Sequence, residues 1–110
     1  MAKKERSKSV SLLNEEQIEK LLAHLSHWHL QLVDSHPRLV KNYKCEHFAA
    51  AMLFANQIAN MAELENHHPR LLVEYKRVQI SWWSHEPVGL TEMDFLMAAR
   101  CDELAERNTG

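Results

Sequence analysis

Apolar residues recur at helical spacing near the start of the chain. Between residues 18 and 25 they follow an i, i+3, i+4, i+7 pattern, which is typical of an amphipathic helix. Asn14 and Gln17, three positions apart, can form a capping box that begins this helix. We therefore predict a first helix that runs from Asn14 to about Ser26.

A second helical stretch, from about Glu46 to Asn66, is apolar on two sides. Pro69 follows it and is predicted to end it. Because one sheet face can cover only one apolar side, we expect a subunit interface over the other. The first stripe consists of Phe48, Met52, Ala55, Ala59 and Ala62, and the second, over which the interface is expected, consists of Ala51, Phe54, Ile58 and Met61.

Alternating apolar and polar residues predict two β-hairpins. In the first, a strand at residues 29–32 is followed by a turn at residues 34–37 and by a returning strand at residues 39–45. In the second, strands at residues 71–75 and 78–83 flank a tight turn near Lys76 and Arg77. Within the last strand Trp82 and Trp83 alternate, so one of these two rings is expected to face the core.

A third helix is predicted to begin at Thr91, with Asp94 three positions later as a capping partner. The order α-β-β-α-β-β-α predicts an α+β fold, a four-stranded antiparallel sheet with three helices packed on one face. We expect a single domain over residues 12–107, between a basic flexible tail at 1–11 and a C-terminal tail at 108–110.

Composition excludes several classes of protein. The chain has 110 residues and two glycines, too few for Gly-rich phosphate loops of the Walker or dinucleotide type. A formal charge of −2 argues against a nucleic-acid partner, and no apolar run approaches the ~18 residues of a membrane span. Cys45 and Cys101 stand 56 positions apart, as expected of reduced thiols in a cytoplasmic protein.

Three of the eight histidines are expected to converge. His67 and His68 stand where the second helix ends, with Glu63 one turn back and within reach of His67. The strand after Pro69 leads away, and the next strand returns antiparallel, roughly 5 Å to its side. The end of that returning strand, which carries His85, must then lie near the start of the first.

Converging imidazoles suit general acid–base catalysis, because histidine titrates near neutral pH. They would also suit a metal ion. We favour acid–base chemistry and expect no metal, since two adjacent ligands directly before a proline give an awkward coordination geometry. No catalytic role is expected for the other histidines, which are His24, His27, His29, His36 and His47.

Seven positions spread over 32 residues resemble the signature of the pterin-4a-carbinolamine dehydratase family. The resemblance covers about residues 12–107, in length as well as in the order of helices and strands. The pattern is Glu63-x-x-x-His67-His68-Pro69, five residues, Tyr75, nine residues, His85, eight residues and Asp94.

This resemblance implies a 4a-hydroxytetrahydrobiopterin dehydratase, which eliminates water to give quinonoid dihydropterin during tetrahydrobiopterin recycling. The pterin is then the substrate, and neither a cofactor nor a metal is implied. A functional link to an aromatic amino-acid hydroxylase follows from the same resemblance. We expect a homodimer or homotetramer, formed through the second helix or a sheet edge.

The resemblance also implies roles for individual residues. His67 and His85 would be the acid–base groups, His68 would hold the pterin, and Glu63 and Asp94 would orient the histidines. From the residues alone, Asp94 can equally be the capping acid of the third helix. The implied catalytic residues are His67, His68 and His85, and the implied substrate-binding residues are Glu63, His68, Pro69, Ser84, His85, Glu86, Pro87 and Asp94.

Two positions depart from the family pattern. Asn66 stands where members often carry Asp, and Leu71 where they often carry an aromatic residue. Asn66 supplies no charge to His67, and Leu71 stacks less well on a flat ring. The alternative to a full enzyme is therefore a catalytically weak pterin-binding, regulatory or interaction protein of the same fold.

Overall fold

The structure is a computed structural model that describes residues 11–109. The predicted basic tail falls almost entirely on residues 1–10, outside the described part of the chain. Within residues 11–109 the elements are α1 (Glu15–Leu22), β1 (His29–Val33), β2 (His36–Lys44), α2 (Phe48–Glu65), β3 (Arg70–Glu74), β4 (Arg77–Trp82), β5 (Ser84–His85), β6 (Val88–Gly89) and α3 (Glu92–Thr109).

Strands β1 to β4 form one antiparallel sheet in the order β1-β2-β4-β3. This confirms the predicted α+β class and the α-β-β-α-β-β-α order. The small hairpin of β5 and β6 was not predicted. Two-residue strands are too short to show an alternating pattern, so this part of the chain resembled a loop.

The core lies between the sheet and the helices. In the sheet register Leu39 pairs with Trp82 and Tyr43 pairs with Val78, so these side chains share one face. Residues from all three helices join them in a single cluster, which places the helices on that face, as predicted. The helical members are Ile18, Ala51, Phe54, Ile58, Ala62, Phe95, Met97, Ala98 and Cys101.

Helix α1 begins as predicted and ends earlier than predicted. Asn14 and Gln17 form both hydrogen bonds of the capping box, at 2.8 and 2.9 Å. The expected end near Ser26 was wrong, because the backbone tightens after Leu22 into i→i+3 bonds. His27 then adopts a positive φ of 67°, which is incompatible with a continuing α-helix.

Helix α2 ends where predicted, at Asn66, but for a different reason than predicted. Asn66, not Pro69, ends it: Asn66 adopts the left-handed conformation at φ 52° and closes the last turn. At the other end His47 caps the helix, with its Nδ1 accepting from the Ala50 N–H at 3.1 Å. A structural role therefore accounts for one of the histidines to which no chemistry was assigned.

Both large hairpins turn through two residues. Asp34 and Ser35 have φ values of 53° and 68°, as a type I′ turn requires. The predicted four-residue turn was therefore too long, and His36 and Pro37 pair with β1 inside the sheet. In the second hairpin Tyr75 and Lys76 form the turn, one residue earlier than predicted.

One side of α2 stays exposed in the single chain. Phe48, Met52, Leu53 and Leu64 are exposed, and Leu64 retains 86% of its accessible surface. We call these four exposed residues the exposed stripe of α2. The expected interface over the second predicted stripe was wrong, because Ala51, Phe54 and Ile58 are buried in the core. Among residues 11–109, none of the helices has the length and apolar character needed to span a bilayer.

Candidate active site

The turn after α2 sends two adjacent histidines in different directions. Asn66 ends the helix, and the His67 N–H still donates to the Ala62 carbonyl at 3.1 Å. His68 and Pro69 then lead directly into β3. Because the left-handed residue breaks the helical geometry, His67 points into the domain and His68 stays at the surface.

His67 is fixed on two sides. Its ring lies parallel to the Trp82 ring, with centroids 5.7 Å apart and planes inclined by 6°. Its Nε2 lies 2.6 Å from Oδ1 of Asp94, and the His67 side chain keeps 16% of its accessible surface. A histidine that is stacked, hydrogen-bonded and still accessible is well placed for proton transfer.

Asp94 is fully buried, and its two carboxylate oxygens serve different groups. Oδ1 binds His67, while Oδ2 accepts from the Thr91 N–H and the Ser84 hydroxyl, both at 2.9 Å. Asp94 therefore begins α3 and also holds a histidine. The two roles left open for this residue by its sequence position are both filled.

Glu63 contacts His68 and not His67. The His68 Nε2 lies 2.8 Å from Glu63 Oε2, with the two side chains 50% and 76% exposed. The predicted pairing of Glu63 with His67 was wrong. The last residue of α2 is Glu65, so His67 lies beyond the helix and does not occupy the i+4 position on its surface. An ion pair this exposed adds little stability and leaves His68 accessible.

His85 contacts Trp83, the residue that follows β4. Its ring centroid is 5.1 Å from that of Trp83, and the Arg38 guanidinium lies 3.7 Å from the same Trp83 ring. His67 and His85 therefore contact different tryptophans, Trp82 at the end of β4 and Trp83 directly after it.

The hairpin register supports part of the expected convergence. Arg70 pairs with Ser81, which brings the backbone of residues 67–69 alongside residues 82–84. In the part of the chain that the structure describes, no ring contact or hydrogen bond joins His67, His68 and His85 to one another. The three side chains border one strand end, each with its own partner.

The remaining predicted residues lie close by in the chain. Ser84 is buried and hydrogen-bonded to Asp94, whereas Glu86 and Pro87 form the exposed turn between β5 and β6. Pro69 is half-buried before β3. Tyr75, the remaining signature position, is 66% exposed in the turn at the far end of β3.

A cavity of about 500 Å³ opens beside His67. This volume is in the range of small-molecule sites. One wall is the segment before α1, which is tied down by a 2.9 Å bond from the Leu13 N–H to the Leu90 carbonyl. The lining residues are Ser11, Leu12, Leu13, Gln17, Glu65, Asn66, His67, Ser84, Thr91, Glu92 and Met93.

Sequence reasoning missed two contributors to this site. Trp82, which supports His67, was recognised only as a candidate core residue. The Leu12 and Leu13 wall gave no signal, because its contact with Leu90 joins parts of the chain far apart in sequence. Within residues 11–109, His, Cys, Asp and Glu side chains form no group of three or more arranged to hold a metal ion.

Comparison with known proteins decides the family. The sequence model described as "Pterin 4 alpha carbinolamine dehydratase" matches residues 11–104. The chain belongs to the pterin 4 alpha carbinolamine dehydratase family. The resemblance inferred from the seven signature positions is thereby confirmed.

Bacterial members of this family are similar over most of the chain. A protein of Vibrio vulnificus named "Putative pterin-4-alpha-carbinolamine dehydratase" is 44% identical over 92 residues, which cover 84% of each chain. A protein of the same name from Microcystis aeruginosa is 43% identical over 94 residues, covering 86% of this chain and 81% of its own.

Two solved structures share the family fold and carry different functional descriptions. The transcriptional coactivator/pterin dehydratase from Brucella melitensis is 32% identical, with a TM-score of 0.78, covering 86% of this chain and 99% of its own. A pterin dehydratase-like protein identified as a RuBisCO assembly factor in the α-carboxysome is 28% identical, with a TM-score of 0.62. That match covers 74% of this chain and 92% of the other.

Proposed function

We propose that this family member is a 4a-hydroxytetrahydropterin dehydratase that works by histidine acid–base catalysis. One observation carries the proposal: His67, bound to the buried Asp94 and stacked on Trp82, borders a cavity of about 500 Å³. A buried carboxylate that stabilises an imidazolium equips His67 to take and return a proton.

The reaction requires one proton to be delivered and one to be removed. The C4a–O bond breaks as the hydroxyl leaves with an added proton as water, and loss of the N5 proton completes the C4a=N5 double bond. We assign one transfer to His67, which borders the cavity, and the other to His85, which lies beside Trp83 and outside the cavity lining. The elimination involves no change of oxidation state, so it requires no redox cofactor.

The accessible His68, with Glu63 as its partner, is assigned to holding the pterin. Of the backbone segments 67–69 and 84–87, His67 and Ser84 line the cavity of about 500 Å³. Asn66 is needed as the left-handed cap of α2, and the carboxylate partner of His67 comes from Asp94 instead. The lack of a charge at position 66 is therefore compatible with an active site.

The exposed stripe of α2 supports a homo-oligomer. Phe48, Met52, Leu53 and Leu64 leave an apolar surface that a second copy of the chain can cover. We propose that the protein is a homodimer or homotetramer assembled through α2 or a sheet edge. Sedimentation at micromolar concentration tests this proposal, and a monomer would contradict it.

The enzymatic proposal is tested by the rate of dehydration of 4a-hydroxytetrahydropterin. The His67→Ala and His85→Ala variants should each lose about 10²-fold or more of the catalysed rate, the usual contribution of a general acid or base. His24→Ala, which changes an exposed histidine after α1, is the matched control and should keep the rate. Wild-type dehydration no faster than the uncatalysed reaction would overturn the proposal.

A second function, as an assembly or regulatory protein, is favoured by one observation. A structure of the same fold, 28% identical, is described as a RuBisCO assembly factor. The exposed apolar stripe of α2 is a surface that such a role could use. Tight pterin binding without turnover by the wild type would select a pterin-binding regulatory protein, and absence of both would select an interaction protein.

A further inference from the structure

Two hydroxyl groups lie next to Asp94, at the carboxylate oxygen that does not bind His67. The Ser84 hydroxyl donates to Asp94 Oδ2 at 2.9 Å, and the Thr91 hydroxyl lies 3.0 Å from that of Ser84 and 3.4 Å from the same oxygen. The Thr91 backbone N–H also donates to Asp94 Oδ2, at 2.9 Å. All three residues of this group are buried.

We propose that Ser84 and Thr91 are positioning residues that act through Asp94 to fix both the ring orientation and the proton position of His67. In this arrangement Nε2 carries the proton held by Asp94, and Nδ1 is the nitrogen that exchanges a proton with the substrate. The inference rests on the proposed function and deepens it, because it assigns the proton transfer to one atom of His67.

The hydrogen bonds of Asp94 determine where the proton between Asp94 and His67 lies. Oδ2 of Asp94 is occupied by donors, which leaves Oδ1 as the acceptor that faces His67. A carboxylate surrounded by donors accepts hydrogen bonds, so the proton in the 2.6 Å contact belongs to Nε2. A neutral imidazole protonated at Nε2 has its lone pair at Nδ1, which is therefore the basic atom.

The His67 ring has two orientations that keep the same ring plane. A half-turn of the imidazole about its Cβ–Cγ bond exchanges Nε2 with a carbon, while the ring stays parallel to Trp82. The stacking at 5.7 Å therefore fixes the ring plane and does not distinguish the two orientations. Among residues 11–109, the bond to Asp94 is the contact that selects the orientation in which Nε2 meets a carboxylate.

The Asp94 carboxylate is itself held in one orientation by its hydrogen-bond donors. Asp94 sits in the first turn of α3, and it can hold His67 only while its own rotation is blocked. Ser84 comes from β5 and Thr91 from the residue before α3, so the two hydroxyls bind Oδ2 from different elements. Since Asp94 is fully buried, its Oδ2 depends on these protein donors for its hydrogen bonds.

The test is an NMR measurement of the His67 Nε2 proton in the full chain, together with kcat and KM. In the wild type this proton should give a low-field signal that exchanges slowly with water. In Ser84→Ala the exchange should be about tenfold faster, and kcat should fall about tenfold with KM nearly unchanged. Ser84→Thr, which keeps a hydroxyl, should restore both properties.

Ser81→Ala is the matched control, because Ser81 is a buried serine on β4 outside the bonds to Asp94. Thr91→Val is a second variant that removes the weaker hydroxyl and keeps the backbone donor. An unchanged Nε2 proton in a folded Ser84→Ala would overturn the inference. An inactive wild type whose Nε2 proton still responds to Ser84→Ala would remove the proposed function and leave the positioning role in place.

Discussion

At the scale of single residues, the buried Asp94 connects the fold to the chemistry. Its spacing from Thr91 made a helix cap predictable from sequence, because capping depends on residues three positions apart. Its bond to His67 depends on the packing of α3 against the end of α2, which no local pattern specifies. The same limit explains why Glu63 was paired with the wrong histidine.

Replacing Asp94 by Asn tests the carboxylate with little change in volume. Asp94→Asn should reduce the dehydration rate about 10²-fold, because an amide cannot stabilise an imidazolium at His67 as a carboxylate does. It should also lower the free energy of unfolding by about 1–3 kcal/mol, since the amide NH2 of the variant side chain would then face groups that donate to Asp94 in the wild type. Urea unfolding and steady-state rates measure the two effects.

Glu103→Gln provides the control, because Glu103 is an exposed carboxylate on the same helix. It should change neither property. A fully active Asp94→Asn variant would remove Asp94 from the account of the site.

At the scale of elements, the ends of helices and the turns between strands determine how the site is assembled. The capping box of α1 and the two large hairpins were predictable, because side-chain spacing and alternation carry them. The position at which α2 ends was also predicted, but the left-handed cap at Asn66 was not, because Pro69 gave the stronger local signal. The β5–β6 hairpin was too short to be seen.

The left-handed cap of α2 gives a prediction about Asn66. Asn66→Gly should leave the free energy of unfolding nearly unchanged, because glycine adopts a positive φ without strain. Asn66→Ala should lower it by about 1–2 kcal/mol, since a β-carbon disfavours this conformation. Equal stability of the two variants in urea unfolding would contradict the assigned cap.

The wall of the cavity gives a prediction about Gly89. This residue has φ +152°, and a β-carbon there would lie 2.9 Å from Cδ2 of Leu12. Gly89→Ala should therefore destabilise the fold by about 1–3 kcal/mol, through backbone strain and displacement of the wall. The loss should be smaller when measured in a Leu12→Ala background, where the contact is absent but the strain remains.

A double-mutant cycle in urea unfolding separates these two contributions. Additive effects of Gly89→Ala and Leu12→Ala would show that the two residues do not meet, and the described wall would be wrong.

At the scale of the whole molecule, a polar cluster joins the sheet to α3. Asp102 accepts from the Tyr43 hydroxyl, from Lys41 at 2.7 Å and from the Trp28 indole N–H at 3.2 Å. Burial, helped by the bond to Asp102, raises the pKa of Tyr43 far above its usual range. Burial also raises the pKa of the Cys101 thiol to about 12.

These raised pKa values predict a loss of stability in alkaline solution. The unfolded chain releases protons from Cys101 above pH 9 and from Tyr43 above pH 10, whereas the folded chain retains them. The two groups therefore contribute stability that is fully present below pH 9 and that declines as the pH rises above the unfolded-state values towards the folded-state values. Urea unfolding between pH 8 and 11 should show this decline.

Tyr43→Phe should lower stability at neutral pH, because Asp102 loses a buried donor, and it should flatten the decline above pH 10. Tyr75→Phe, which changes an exposed tyrosine, is the control and should leave the decline unchanged. A decline of equal steepness in Tyr43→Phe and wild type would contradict the burial of a protonated Tyr43.

The proposed function is tested most directly by the rate at which the wild-type chain dehydrates 4a-hydroxytetrahydropterin, compared with the uncatalysed rate and with His67→Ala. We predict a clear acceleration by the wild type that falls about 10²-fold or more when His67 is removed. A wild-type rate equal to the uncatalysed rate, or an acceleration that survives in His67→Ala, would contradict it.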